Sequence, residues 1–513
     1  MDKKRSVLNV SVSMFSRAVL LFAALYVRRL LIRRIGNDVN GLNSLYASII
    51  GMLSVAELGV GSAIVYSMYS PIVSGNTEQV AALYCLYKKL YRIIGAVIFA
   101  AGLALMPFLP LFISDYDKLN VNVYGTFFLT LVSVVISYLY SAKTSLIEAH
   151  KDNYLTTGIL TVSRLARFAM QAAAVLIWQS YAAFLACQIL ETLLIWGLTE
   201  AAVRHTHGNI LVMRETVDDD TKSAVGNNVK AMFMHKIGTI LVMSIDNMII
   251  SGFIGVAALG RYANYSLIAE VVSGTIGLFF SPLTSIVGHL CAAGNPEQAK
   301  HYFNRFYCLN YILGAVFFLG YCACADSVVT LCFGPGLDVS RSIIFIITLN
   351  QFTKYMRRTS LLFRDASGAF YNDRWKPVSE GVANLILSLL FVNLFPENYR
   401  IVGVIVATII TTLLICHVVE PYVVFHHVFG QSPRSFCLKN YAYIALFASC
   451  AFVITRLIKP CDSYAAALLV NGFISLMISA AALILLAIAD KDFRAQVLAL
   501  IRALPASFRR LHR

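Results

Sequence analysis

Long apolar runs separated by short polar breaks fill the chain from end to end. A membrane span needs about 20 mostly apolar residues, and on that scale the pattern predicts about fourteen helical segments. They fall near 7–33, 41–70, 91–113, 121–149, 154–178, 180–203, 228–254, 260–290, 307–333, 341–363, 377–395, 401–426, 440–458 and 464–489. The connections are too short for a soluble domain. The longest polar stretch, from His205 to Asn228, reads as a connector whose Asp218-Asp219-Asp220 run is solvated. The first apolar run is too long for a signal peptide and lacks a small-residue cleavage site, so it reads as a retained first helix. The expected fold is therefore all-α and integral to the membrane.

Within this pattern the chain repeats itself. Gly75-Asn-Thr-Glu-Gln79 recurs as Gly294-Asn-Pro-Glu-Gln298, and Ile93-Ile-Gly-Ala-Val97 as Ile312-Leu-Gly-Ala-Val316, both 219 positions on. The same offset pairs Ile35-Gly36 with Ile254-Gly255, Gly41 with Gly260 and Tyr46 with Tyr265. This predicts a six-helix lobe over 1–204, a cytoplasmic connector over 205–227 and a second six-helix lobe over 228–428. Two extra helices over 429–490 and a basic cytoplasmic tail over 491–513 follow. An even number of helices per repeat makes the repeats parallel, an architecture of carriers that hold substrate between their halves.

Composition agrees: 58% of residues are apolar and 13% charged, with mean hydropathy +0.71. The net charge of +15 does not indicate nucleic acid, because no basic stripe lies outside the apolar segments. Lys and Arg instead gather in alternate loops, which places both termini in the cytoplasm by the positive-inside rule. The eleven cysteines are scattered singly, without zinc-site spacing, and most stand where a small apolar residue would serve. His205, His207, His426 and His427 suggest a metal only weakly, and no metal site is assigned.

The candidate chemistry is cationic. Arg17 and, at the repeat offset, Lys236 each lie inside the first apolar run of their half. Ionisable groups at such depth are costly and usually face an interior or a wet cavity. Arg28 is eleven residues beyond Arg17, close to three helical turns, and shares its face. Arg164 and Arg167 share a face of the fifth segment. Guanidinium groups bind phosphate oxygens in bidentate fashion, so the expected ligand of Arg17, Arg28, Lys236, Arg164 and Arg167 is an anion, a diphosphate headgroup above all. Of the acidic residues in apolar runs, Glu57 and Asp246 are the deepest and are the candidates for a coupling sodium ion or proton; Glu148, Glu191, Glu270, Glu380 and Glu420 are expected mainly as partners of cations or as boundary residues. Tyr84, Tyr87 and Tyr91 are of a type that can stack on sugars, but an interfacial aromatic belt is the default expectation for them. No catalytic residue or cofactor is assigned.

Several stretches resemble a known family. Gly41-Leu-Asn-Ser-Leu45, Met52-Leu-Ser-Val-Ala-Glu-Leu-Gly-Val-Gly-Ser-Ala-Ile64 and Tyr69-Ser-Pro71 are followed far downstream by Asp373-Arg-Trp-Lys-Pro377 with Glu380 and Asn384. These are similar to the bacterial polysaccharide-biosynthesis flippases, the O-antigen and capsule repeat-unit translocases of the MATE-like MOP exporter superfamily. The resemblance covers nearly the whole chain. It implies two lobes around a cationic cavity in the bacterial inner membrane and a substrate, an undecaprenyl-diphosphate-linked oligosaccharide, moved to the outer leaflet by alternating access. It further implies arginines of the first helices around the diphosphate, a role that Arg17, Arg28 and Lys236 match, with Lys in place of Arg at one of them. A monomer among membrane lipids, working alongside polysaccharide polymerase machinery, is the expected setting. Two other readings are carried: an organic-cation antiporter of the same superfamily, which would need acidic groups in the cavity, and a membrane glycosyltransferase or polymerase. The only D-x-D sequence on an outer loop, Asp115-Tyr-Asp117, sits on a loop of a few residues, so an enzyme is not expected.

Overall fold

The structure is a computed structural model that describes residues 3–57, 60–213, 215–217, 222, 226, 244–280, 283–292, 294–459 and 463–510. Lys236 and the Asp218–Asp220 run lie outside the described residues. The described chain is helical throughout, and nine of its helices are long and apolar enough to cross a membrane. The expected all-α membrane fold is borne out. Contacts divide it into two compact units, residues 1–260 with Cys332–Gly334, and 261–331 with 335–513.

The first unit begins with α1 (Lys3–Arg34) and a broken pair, α2 (Asn37–Leu53) and α3 (Val60–Ser74). Four long helices follow, α4 (Thr77–Leu105), α5 (Val123–Ala149), α6 (Asn153–Ile177) and α7 (Tyr181–Val212). α5 packs on α4 and α7, α6 on α7, and α1 on α6. The expected single helix over 41–70 is interrupted by a 3-10 turn, Ser54–Glu57. No Gly or Pro stands in that turn, so hydropathy gave no sign of it. Tyr84, Tyr87 and Tyr91 are not an interfacial belt: each is no more than 3% exposed, on the buried face of α4.

The repeat is visible in local geometry. α1 closes with the Ile35 and Gly36 amides both reaching the Leu31 carbonyl, and the helical stretch 244–253 closes with the Ile254 and Gly255 amides on the Ile250 carbonyl. Gly36 and Gly255 adopt φ of +135° and +123°, open to glycine and strained for other residues. Forty residues on, Asn76 caps α4 by accepting from the Gln79 amide at 3.0 Å, and Asn295 accepts from the Gln298 amide at 3.1 Å. The two copies also meet inside the first unit. A Cβ at Gly41 would lie 1.9 Å from the Val256 carbonyl oxygen, and one at Gly260 would lie 2.4 Å from that of Asn37. Positions 37 and 256, like 41 and 260, are 219 apart, so one close crossing is made twice by equivalent residues. Asn37 and Asn40 bind it, donating to the Ala257 and Gly260 carbonyls at 2.9 and 3.1 Å. Small residues at helix crossings let backbones approach in this way.

The second unit takes in most of α8 (Val256–Phe280), then α9 (Leu283–Ala292), α10 (Pro296–Phe333), α11 (Arg341–Met356), α12 (Arg358–Ala366), α13 (Lys376–Leu394), α14 (Arg400–Thr411) and α15 (His417–His427). Its core is aromatic. Phe303 meets Phe363, Phe425, Phe429 and Phe436 edge-on at ring separations of 5.1–5.5 Å. α16 (Arg434–Leu457) and α17 (Tyr464–Ala489) add two apolar helices. The terminal segment forms an amphipathic helix, α18 (Lys491–Arg510), anchored by Phe493 against Tyr311 and Tyr443. Asp490 caps it through the Asp492 and Phe493 amides and pairs with Lys439 at 2.6 Å. Burial would raise the Asp490 carboxyl, but Lys439, the Tyr443 hydroxyl and the Phe493 amide outweigh it and hold the group below the usual range.

Candidate functional site

Three of the five sequence-predicted cations line one cavity of 530 Å³ in the first unit. α1 contributes Arg17, Leu20, Leu21 and Ala24, a stripe at helical spacing. α6 contributes Leu160, Arg164 and Phe168 at successive turns, with Arg167 beside them. Tyr140 of α5 and Glu191, Thr192 and Ile195 of α7 complete the wall. Glu191 is 8% exposed and pairs with Arg167 at 3.0 Å, while Arg164 stands 4.0 Å from its other oxygen. Its role as a partner of cations agrees with expectation. The Arg167 guanidinium also lies over the Phe168 ring at 4.7 Å, which fixes its plane.

Three guanidinium groups against one carboxylate leave an excess of two positive charges when all are ionised. Glu191 holds Arg167 in place, whereas Arg17 is exposed and the Arg164 side chain is 49% exposed. The cavity wall thus interleaves cationic and polar side chains with Leu, Ile, Ala and Phe on the same helices. Such a wall can hold an anion with more than one acceptor oxygen and place an apolar or sugar-bearing group beside it.

Arg28 does not join this group; its guanidinium lies 5.6 Å from the Phe333 ring. A common helical face is not enough to bring it to Arg17, because 11 residues of rise separate the two arginines by about 16 Å. The Lys236 position is not described. Asp246 is buried on the helical stretch 244–253. Glu57 ends the 3-10 turn between α2 and α3, where Tyr91 donates to Oε1 at 3.1 Å and Tyr138 to Oε2 at 2.9 Å. Sequence reasoning placed Tyr91 in an interfacial belt and missed Tyr138 and Tyr140. The spacing of Tyr84, Tyr87 and Tyr91, three and then four residues apart on one face, was the available sign that they pack inward.

The downstream residues from Asp373 to Asn384 make structural contacts. Asp373 takes Arg364 at 2.6 Å, Lys376 binds Glu420, Glu380 reaches Arg357 at 3.5 Å, and Asn384 donates to Thr408 at 2.8 Å. Arg357 also binds Glu420 at 2.6 Å.

The chain has the fold of the MOP-type membrane transporters. It matches the lipid II flippase MurJ in its inward closed conformation with a TM-score of 0.62 and 13% identity, over 93% of this chain and 98% of that one. An inward-facing multidrug resistance MATE family transporter of the MOP superfamily matches with a TM-score of 0.54 and 10% identity, over 80% of this chain and 96% of that one. A mutant form of the Vibrio cholerae MATE transporter VcmN matches with a TM-score of 0.51 and 12% identity, over 84% of this chain and 100% of that one. No family profile and no curated protein matches the sequence.

Proposed function

We propose that the protein is a flippase that carries an undecaprenyl-diphosphate-linked oligosaccharide from the cytoplasmic to the outer leaflet of a bacterial inner membrane. The observation that carries this reading is the excess of guanidinium groups in the Arg17–Arg164–Arg167 cavity. The fold shared with a lipid II flippase supports it. In this reading Arg17 and Arg164 take the diphosphate, Arg167 is set by Glu191, and Arg28 and Lys236 meet the headgroup elsewhere on its path. The lobes are 1–204 and 228–428, both termini are cytoplasmic, and a monomer hands product to polymerase machinery. Glu57 and Asp246 are the groups through which a sodium ion or proton would drive the cycle.

The second reading, an organic-cation antiporter, has the MATE likeness in its favour. The cavity argues against it, since a cationic substrate would meet two surplus positive charges. The test is leaflet exchange of a fluorescent undecaprenyl-diphosphate glycan in proteoliposomes. Wild type is expected to exchange the lipid, and Arg17→Ala and Arg164→Ala to slow exchange at least tenfold while remaining folded. Exchange untouched by both substitutions would remove the site, and a folded wild type that exchanges no lipid would remove the function.

A further inference from the structure

α17 is one of the nine helices long and apolar enough to cross a membrane, and it carries no charged residue. Its 26 residues rise about 39 Å, more than a hydrocarbon core of about 30 Å. A helix of that length and composition ends among the lipid headgroups. One residue, Asp490, separates it from α18; its backbone is extended at φ −117° and ψ 108°, and its carboxylate caps the new helix. α18 therefore starts at the interface between membrane and water.

Two stripes run along this helix. Phe493 is buried against Tyr311 and Tyr443, and Val497 and Leu500 pack on the same core. Helical spacing continues that apolar stripe through positions 501, 504 and 508. About a third of a turn round lies the second stripe, Lys491, Arg494, Leu498, Arg502 and Arg509. It holds four cations and no carboxylate. Lys491 and Arg494 are exposed, and so is Leu498 between two of the arginines, at 46%. The one acid within α18, Asp492, lies off the stripe and stands 3.9 Å from Lys439, which holds Asp490 at 2.6 Å. Lys439 of α16 thus takes both carboxylates of the corner. Among the described residues, Lys491 and Arg494 pair with no carboxylate.

We propose that the basic stripe of α18 binds the bilayer surface through anionic phospholipid headgroups, with Leu498 set among the carbons just beneath them. An excess of Lys and Arg on one side of a membrane protein sets its orientation wherever those cations point. Here they gather on one line of a helix that begins at headgroup level, and their uncompensated charge complements a negative surface. A stripe turned to bulk water has no use for Leu498. At the interface the leucine reaches apolar carbon while the arginines on either side of it stay level with the phosphates. Phosphatidylcholine cancels its own phosphate with an ammonium group, so the attraction calls for a lipid of net negative charge. Phe493 and the Lys439–Asp490 pair tie the same helix to α10 and α16, so the lipid grips an element already locked to the second unit.

The inference is independent of what the carrier moves. It is tested on the full-length protein in nanodiscs of phosphatidylcholine, alone or mixed with phosphatidylglycerol, by amide hydrogen exchange. Exchange over residues 494–510 is expected to slow severalfold when phosphatidylglycerol is present at low salt. High salt should remove the difference, because the contact is between exposed charges. Arg494→Gln combined with Arg502→Gln should remove it at low salt as well, with exchange in α16 and α17 unchanged, which shows that the helix has lost lipid and not its fold. Leu498→Ser keeps every charge and should retain the dependence on phosphatidylglycerol with a smaller protection. Equal wild-type exchange in the two lipids overturns the proposal, as does a phosphatidylglycerol effect that survives the double substitution. Protection that follows the number of copies per disc, and not lipid charge, assigns the face to a second copy of the chain and overturns it too.

Discussion

At the scale of single residues, the charges divide into those that build the fold and those left over for a ligand. Glu420 is fully buried between Arg357 and Lys376, and Glu380 adds a second carboxylate to the same cluster. Two cations and two carboxylates balance, so this group holds helices together and has nothing to spare. Removing one member strands the others, which costs about 3–5 kcal/mol. Glu420→Gln is therefore expected to lower thermal stability by about that amount, measured as a shift in the unfolding midpoint of the purified protein. An unchanged midpoint would mean that the cluster is not the clamp described. Sequence alone identified Glu420 and Glu380 as partners of cations but could not name the cations, since Arg357 and Glu420 are 63 positions apart. Arg17, Arg164 and Arg167 were legible because charge inside an apolar run needs a reason. That Arg28 would point to Phe333 was not legible, because helical periodicity gives a shared face and not what the face meets.

At the scale of elements, the repeat carried the most information. An offset of 219 found in short matching words reappears in helix caps and in a backbone crossing that uses equivalent residues twice. Gly41→Ala would bring its Cβ to 1.9 Å from a backbone carbonyl, which no side-chain rotation can relieve. Overpacking of this kind costs about 1–3 kcal/mol, and Gly260→Ala should cost a similar amount. Gly158, on α6 with nothing within 4 Å of its absent Cβ, serves as the control, and its alanine variant should be neutral or slightly stabilising. Thermal midpoints of the three variants check this, and equal values for Gly41→Ala and Gly158→Ala would dismiss the crossing. The break at Ser54–Glu57 was hidden for a physical reason. The turn is held by hydrogen bonds from tyrosines on other helices, and hydropathy along one segment does not record its neighbours.

At the scale of the whole molecule, hydropathy settled the fold class because a membrane leaves so few structures open to a chain of this composition. It could not settle the substrate, because flippases and multidrug carriers share the architecture and this chain resembles both at 10–13% identity. The discriminating property is the sign of charge in the cavity, and that property can be measured without transport. A ligand that binds only the folded protein stabilises it by about 2.7 kcal/mol at a hundredfold excess over its Kd. Undecaprenyl diphosphate is expected to raise the unfolding midpoint, and an organic cation at the same concentration to leave it unchanged. Arg17→Ala should weaken the lipid effect, because it removes an exposed guanidinium group and leaves the Arg167–Glu191 pair intact. Stabilisation by the cation instead of the diphosphate would reverse the assignment: the cavity would then present Glu191 rather than its arginines, and the antiporter reading would stand in place of the flippase.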